Sequence, residues 1–297
     1  MATSHSKRGL NSNSAARLKN HWQQKHDSLV HRVWENHADV LEPLKNAPPQ
    51  MMAAALAALL VVSHSASQIL SVQAATTDAP QQVVHSPEEL VKQLSQVLPT
   101  TVDPLDPLAE DQVGRILGEY FHLPVSATLG GNRLNRSYGY IGKEQHLMRY
   151  PGDTMATHFD SQIDAAAHGA EGMAPGRGAW GYFAPSSAEL TPELVNREKY
   201  YIAVQTFLAP GWGERTSELY AFFKHRRMLV VNPENGKAVV AVIGDAGPGA
   251  STGKHLGGSP EVMHYLERVD GAAKGPVLYY FIDDSAASTP LGPIQLL

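Results

Sequence analysis

The sequence predicts an α+β chain, mainly β, with its β-rich part between residues 124 and 297. Three observations carry this. Short β-rich runs recur there between dense glycine and proline turn signals. An Asn-Gly pair joins two of the richest runs. Helix starts with a hydroxyl cap and a proline at the first helical position interrupt them. The expected strands cover residues 179–184, 200–207, 227–231, 238–243 and 277–282. Thr191-Pro192-Glu193 and Ser259-Pro260-Glu261 open the two helices between them. Neither an internal repeat nor a coiled-coil heptad pattern is present.

Upstream, residues 1–49 form a polar, basic segment carrying Lys7, Arg8, Arg17, Lys19, Lys25, Arg32 and Lys45. Residues 50–75 follow, with an unbroken apolar run of twelve from Met51 to Val62. A membrane span needs about 20 such residues. Together with the small residues Val72-Gln73-Ala74, the run fits a signal peptide or a membrane anchor. A buried Ala-rich helix is the alternative. The expectation is an exported protein, secreted or held at the cytoplasmic membrane through residues 51–71 if the segment stays uncleaved. Residues 76–123 read as a linker with short helices. Ser86-Pro87-Glu88-Glu89 forms a capped start before Leu90, Val91, Leu94 and Leu98, and a second helix is expected at about residues 110–121.

Composition excludes several chemistries. The net charge of −5 gives no electrostatic reason to expect a nucleic-acid partner. With 0 cysteines, disulfides, thiolate nucleophiles and Cys-ligated zinc are all removed. Carboxylates, hydroxyls and the 14 histidines remain. The glycine-rich stretch from Gly172 to Gly181 lacks the Lys-Ser/Thr of a phosphate loop, so no nucleotide cofactor is expected.

The densest signal runs from Arg227 to Pro248. Two β-rich segments flank Asn232-Pro-Glu-Asn-Gly236, a hairpin turn, and the second ends in Gly244-Asp245-Ala246-Gly247-Pro248. A glycine-rich connection and the capped helix at Pro260 follow. This pattern resembles the rare-lipoprotein-A-like and expansin-like double-psi β-barrels over residues 228–266. The wider stretch 131–293 is similar to a group of uncharacterised exported bacterial proteins. The resemblance implies a six-stranded double-psi β-barrel core with short helices and long Gly-rich loops, behind an N-terminal hydrophobic helix. It also implies cell-wall polysaccharide or peptidoglycan as partner, with Asp245 as the acid at the hairpin's exit. The relatives' second acid, in an Asp-Leu-Ser motif, is absent, because the matching stretch reads Lys254-His-Leu-Gly-Gly-Ser259.

Other residues add to the candidate site. His158 and Asp160 could place an imidazole beside a carboxylate for acid–base work. With Asp153 and His168 they could hold a metal, but the spacing fits no metal motif, so no metal is expected. Trp180, Tyr182 and Trp212 are candidates for stacking on sugar rings, Trp212 in an expected loop. His255, in the stretch after the hairpin, is a further candidate contact.

Two function classes follow. One is an envelope protein that binds polysaccharide or a partner without catalysis. The other is a glycan-cleaving enzyme, lytic-transglycosylase-like or glycosidase-like, using Asp245 assisted by His158 or Asp160. The missing second acid favours the first.

Overall fold

A computed structural model describes residues 85–268 and 274–297. Residues 1–49 and the apolar segment 50–75 lie outside these, so the expected leader or anchor is not among the described residues. No helix among the described residues is long and apolar enough to cross a membrane.

Helix α1 (Pro87–Val97) begins where the sequence places it, with a complete capping box between Ser86 and Glu89. Helix α2 (Pro107–Phe121) starts earlier than expected because Asp106 caps it, accepting from the backbone N–H of Leu108 and Ala109. Three two-residue strands follow, β1 (Val125–Ser126), β2 (Thr128–Leu129) and β3 (Asn132–Arg133), then β4 (Tyr138–Lys143). A long excursion carries α3 (Met155–His158), α4 (Gln162–His168) and α5 (Pro192–Lys199) before β5 (Tyr201–Val204). Next come α6 (Trp212–Phe223), the hairpin of β6 (Arg227–Val231) and β7 (Ala238–Ala246), and β8 (Leu256–Gly258). Helix α7 (Pro260–Tyr265), β9 (Lys274–Ile282) and β10 (Gly292–Ile294) complete the chain.

Six of these strands close a mixed barrel in the order β4, β9, β6, β7, β5, β8 and back to β4. The β5–β7 and β4–β8 pairs are parallel and the other four antiparallel. Exchanging β4, β5 and β6 for β7, β8 and β9 leaves the ring order and both parallel pairs unchanged, so the barrel has a two-fold repeat in its topology. Strands β1 and β10 extend the wall by pairing with β9 and β7.

Alternation along the strands explains why the sequence shows continuous apolar runs. Met228, Val230, Val239, Ala241, Ile243, Val277, Tyr279 and Phe281 pack in one core with Leu219 and Phe223 of α6 and Val262 and Met263 of α7. Their neighbours Leu229, Val231, Val240, Leu278, Tyr280 and Ile282 pack in a second core with Leu90 and Leu94 of α1 and Leu117 and Phe121 of α2. A strand buried on both faces loses its polar half-period.

The turn behaves as its residues require. Gly236 adopts φ +73°, and a Cβ there would sit 3.2 Å from Pro87, the first residue of α1. Asn232 and Asn235 accept from the backbone N–H of Glu234 and Lys237.

Two expectations are corrected. Residues 179–184 form no strand: Gly178 and Gly181 share one isolated bridge across a turn, with Gly181 at φ +83°. Trp212 opens α6 and is not a loop residue. Strands β4 and β8 were not anticipated, because the glycines in Tyr138–Lys143 and Leu256–Gly258 hide them from a pattern search.

Candidate functional site

The described residues carry two groupings of chemistry-bearing side chains. The first forms in the excursion between β4 and β5. His146, just after β4, is held by backbone bonds to Gly172 and Ala174 at 2.9 and 2.8 Å. The Tyr150-Pro-Gly-Asp153 turn, with Gly152 at φ +88°, folds Asp153 back onto Arg149. The guanidinium then grips the carboxylate through Nε (2.8 Å) and a terminal nitrogen (3.0 Å). His158 is the last residue of α3, and Glu198 lies in the final turn of α5.

These side chains meet in the interior. Glu198 Oε1 faces His146 Nδ1 at 3.3 Å and accepts from the Leu147 backbone N–H at 2.9 Å, while Oε2 faces His158 Nε2 at 3.0 Å. The opposite nitrogens are also engaged: His146 Nε2 with the His168 carbonyl at 3.1 Å, and His158 Nδ1 with Asp153 Oδ2 at 3.1 Å. Phe159 lies edge-on to both imidazoles. His146, His158 and Glu198 are all buried, with one donor atom from each within 4.8 Å of the others.

The electrostatics follow from this packing. Burial alone would raise the Glu198 carboxyl, but hydrogen bonds from His146 and His158 hold it below the usual range. Asp153 is held down to about 2 because the Arg149 contacts outweigh its burial. Burial works against charge on His146, yet Glu198 wins and its pKa is raised. Glu261, in the first turn of α7, is pushed up to about 7 by burial and by the Glu198 charge. Its Oε2 is buried with no hydrogen-bond partner. A cavity of about 60 Å³ is lined by His158, Glu198 and Glu261, with Asp160 and Arg149 at its wall. Arg149 and Asp160 also line a neighbouring groove of about 420 Å³.

The second grouping is at the end of β7. Asp245 Oδ1 accepts from the backbone N–H of Ala179 (2.7 Å) and of Ala246 (2.8 Å), and Oδ2 has no hydrogen-bond partner among the described residues. Burial raises the Asp245 carboxyl against those two bonds. The Ala179 carbonyl accepts from the Tyr220 hydroxyl, and the Trp180 indole N–H donates to the Tyr220 carbonyl at 3.0 Å. Asp245 and Trp180 are thus brought together on one clamped turn, with the Tyr220 ring 5.3 Å from Trp180. Trp212 packs against the same core as Trp180. The Tyr182 ring lies under the Arg177 guanidinium at 5.8 Å.

Glu144, which the sequence did not single out, stands nearby in register. Ala203 of β5 pairs with Asp245 on one side and Gly257 on the other. Two strand spacings, roughly 10 Å, therefore separate Asp245 from Gly257. The Glu144 carboxylate lies over Gly257, where a Cβ would come within 2.0 Å of it. Lys254 binds it at 2.7 Å.

The acid–base candidates fall in different places. His158 and Asp160 border the small cavity, whereas Asp245 belongs to the turn held by Tyr220. His255 is elsewhere again, its Nδ1 accepting from the Tyr140 backbone N–H at 2.9 Å and its ring stacked on Tyr140. His146, Glu198 and Glu261 were missed because no short spacing links them. They come from three separate elements, and Glu198 and Glu261 look in sequence like ordinary helix acids.

No family model matches the chain, and no curated protein matches it.

Proposed function

We propose that this chain is an envelope protein, exported or membrane-anchored, that uses a double-psi-type barrel to bind polysaccharide at the Asp245 corner. The observation that carries this reading is the fixed carboxylate: Oδ1 is pinned by two backbone donors, Oδ2 has no hydrogen-bond partner among the described residues, and the Ala179 turn that binds it carries Trp180, paired with Tyr220. A sugar is recognised by this pairing of an aromatic face with an oriented acceptor. The two-fold strand order with its two parallel pairs supports the double-psi assignment and the likeness to rare-lipoprotein-A-like barrels.

A second reading, glycan cleavage, is favoured by one observation. Glu144 lies over Gly257, so a second carboxylate stands about two strand spacings from Asp245, roughly 10 Å between the strand positions. Inverting glycosidases hold their carboxyls about 6.5–9.5 Å apart.

The test is pull-down and product analysis of the full chain with purified peptidoglycan and other envelope glycans. Retention lost in Asp245→Asn and Trp180→Ala, with no product, supports binding. Product that disappears in Asp245→Asn and Glu144→Gln supports cleavage. Retention and product equal in all variants sink both.

A further inference from the structure

We propose that His146, His158 and Glu198 are ligands of a divalent transition-metal ion, for which zinc serves as reference, and that Glu261 completes the shell. Three independent features point to it.

The first is spacing. Glu198 oxygens lie 3.3 Å from His146 Nδ1 and 3.0 Å from His158 Nε2. In a tetrahedral site with bonds of about 2.0–2.1 Å, neighbouring donor atoms are separated by about 3.3 Å. Imidazole nitrogen with carboxylate oxygen is a donor set for zinc, iron, nickel or copper rather than calcium or magnesium.

The second is the arrangement behind the ligands. A metal-bound histidine donates its other ring N–H to a carboxylate or a carbonyl, which fixes ring and tautomer. His158 Nδ1 meets Asp153, itself clamped by Arg149, and His146 Nε2 meets the His168 carbonyl. The outer nitrogens thus already have their acceptors, which leaves His146 Nδ1 and His158 Nε2 facing Glu198.

The third is Glu261. It is only 7% exposed, its Oε2 has no partner, and it lines the same small cavity as His158 and Glu198; its carboxylate lies outside the 4.8 Å group and joins the shell by turning toward the ion. A buried carboxylate oxygen without a donor is costly, and coordination supplies what it lacks. The ligands come from the β4–α3 connection, α3, α5 and α7, so one ion would tie the long excursion to the barrel.

The test uses the full chain, stripped with chelator and dialysed against zinc. The expected result is one zinc per chain, a raised thermal midpoint, and zinc-edge X-ray absorption with two imidazoles and oxygen ligands. Hydrogen exchange should slow in peptides spanning residues 144–200. Glu198→Gln and His158→Gln should abolish uptake, and Glu261→Gln should weaken it about tenfold or more, the low end of what outer partners contribute. No retained zinc overturns the proposal, as do zinc without imidazole scattering and exchange unchanged at residues 144–200. Uptake intact in either Glu198→Gln or His158→Gln overturns it too. Unchanged affinity in Glu261→Gln overturns the assignment of that residue. If the ligand variants fail to fold, absorption and exchange on the wild-type chain decide alone.

Discussion

The interior cluster and the Asp245 corner hold a carboxylate in opposite ways. Glu198 receives two imidazoles and a backbone N–H, spread over both oxygens, and its charge is stabilised despite full burial. Asp245 receives two backbone N–H groups on one oxygen, and burial prevails, so its carboxyl is raised. Desolvation acts on both in the same direction, and the number and charge of the donors decide which way each group moves. A carboxylate enclosed by two imidazoles and a backbone N–H is committed to the protein or to an ion within it. One with an idle oxygen at a strand exit remains available to something outside.

Four predictions bear on that contrast, from the largest effect to the smallest. Glu198→Ala leaves two imidazoles and the Leu147 N–H unmatched in the interior. It should destabilise the chain by about 3–5 kcal/mol, read from urea unfolding. A loss under about 1 kcal/mol would mean that water reaches the cluster and the contrast fails. Asp245→Ala frees two backbone donors near the surface and should cost only about 1–2 kcal/mol. Equal losses in these two variants would erase the distinction between the regions.

The third concerns acid. His225 stacks on Phe183, its backbone N–H donates to the Ile243 carbonyl, and burial with nearby Arg197 and Lys224 lowers its pKa to about 4. The unfolded chain takes up this proton first, so stability should fall as pH drops from about 6.5 toward 4 and be unaffected above that window. His225→Asn, which tolerates the residue's φ of 53°, should flatten that part of the profile in unfolding curves at pH 7 and 5. An unchanged slope would place the acid sensitivity elsewhere. The smallest effect is expected for Asp245→Asn, which keeps the Oδ1 acceptor. Its unfolding midpoint should stay within about 0.5 kcal/mol of wild type, while glycan retention is lost. A large stability loss with retention intact would make Asp245 a structural anchor for the Ala179 turn.

Much of the local structure was legible because it depends on neighbours in the chain. Ser86, Thr191 and Ser259 each cap a helix with proline next in line, and Asn235-Gly236 turns the hairpin. Strands β6, β7 and β9 were visible because all their faces are apolar. Strands β4 and β8 were not, since their glycines serve close approaches: Gly139 lies against His255 and Gly257 under Glu144. His158 and Asp153 could be suspected as a pair from a five-residue spacing. His146 and Glu198 could not, because 52 residues separate them.

The helix starts at Ser86, Thr191 and Ser259, the hairpin with Asp245 at its exit and the mainly β class were determined by the sequence alone, since caps, turn residues and apolar runs act over a few bonds. The tertiary structure decided the closure of six strands into a ring and the meeting of His146, His158, Glu198 and Glu261. It also decided which carboxylate has both oxygens engaged and which, among the described residues, keeps one without a partner. Those outcomes depend on donors and desolvation supplied by residues far apart in the chain, and no local pattern encodes them.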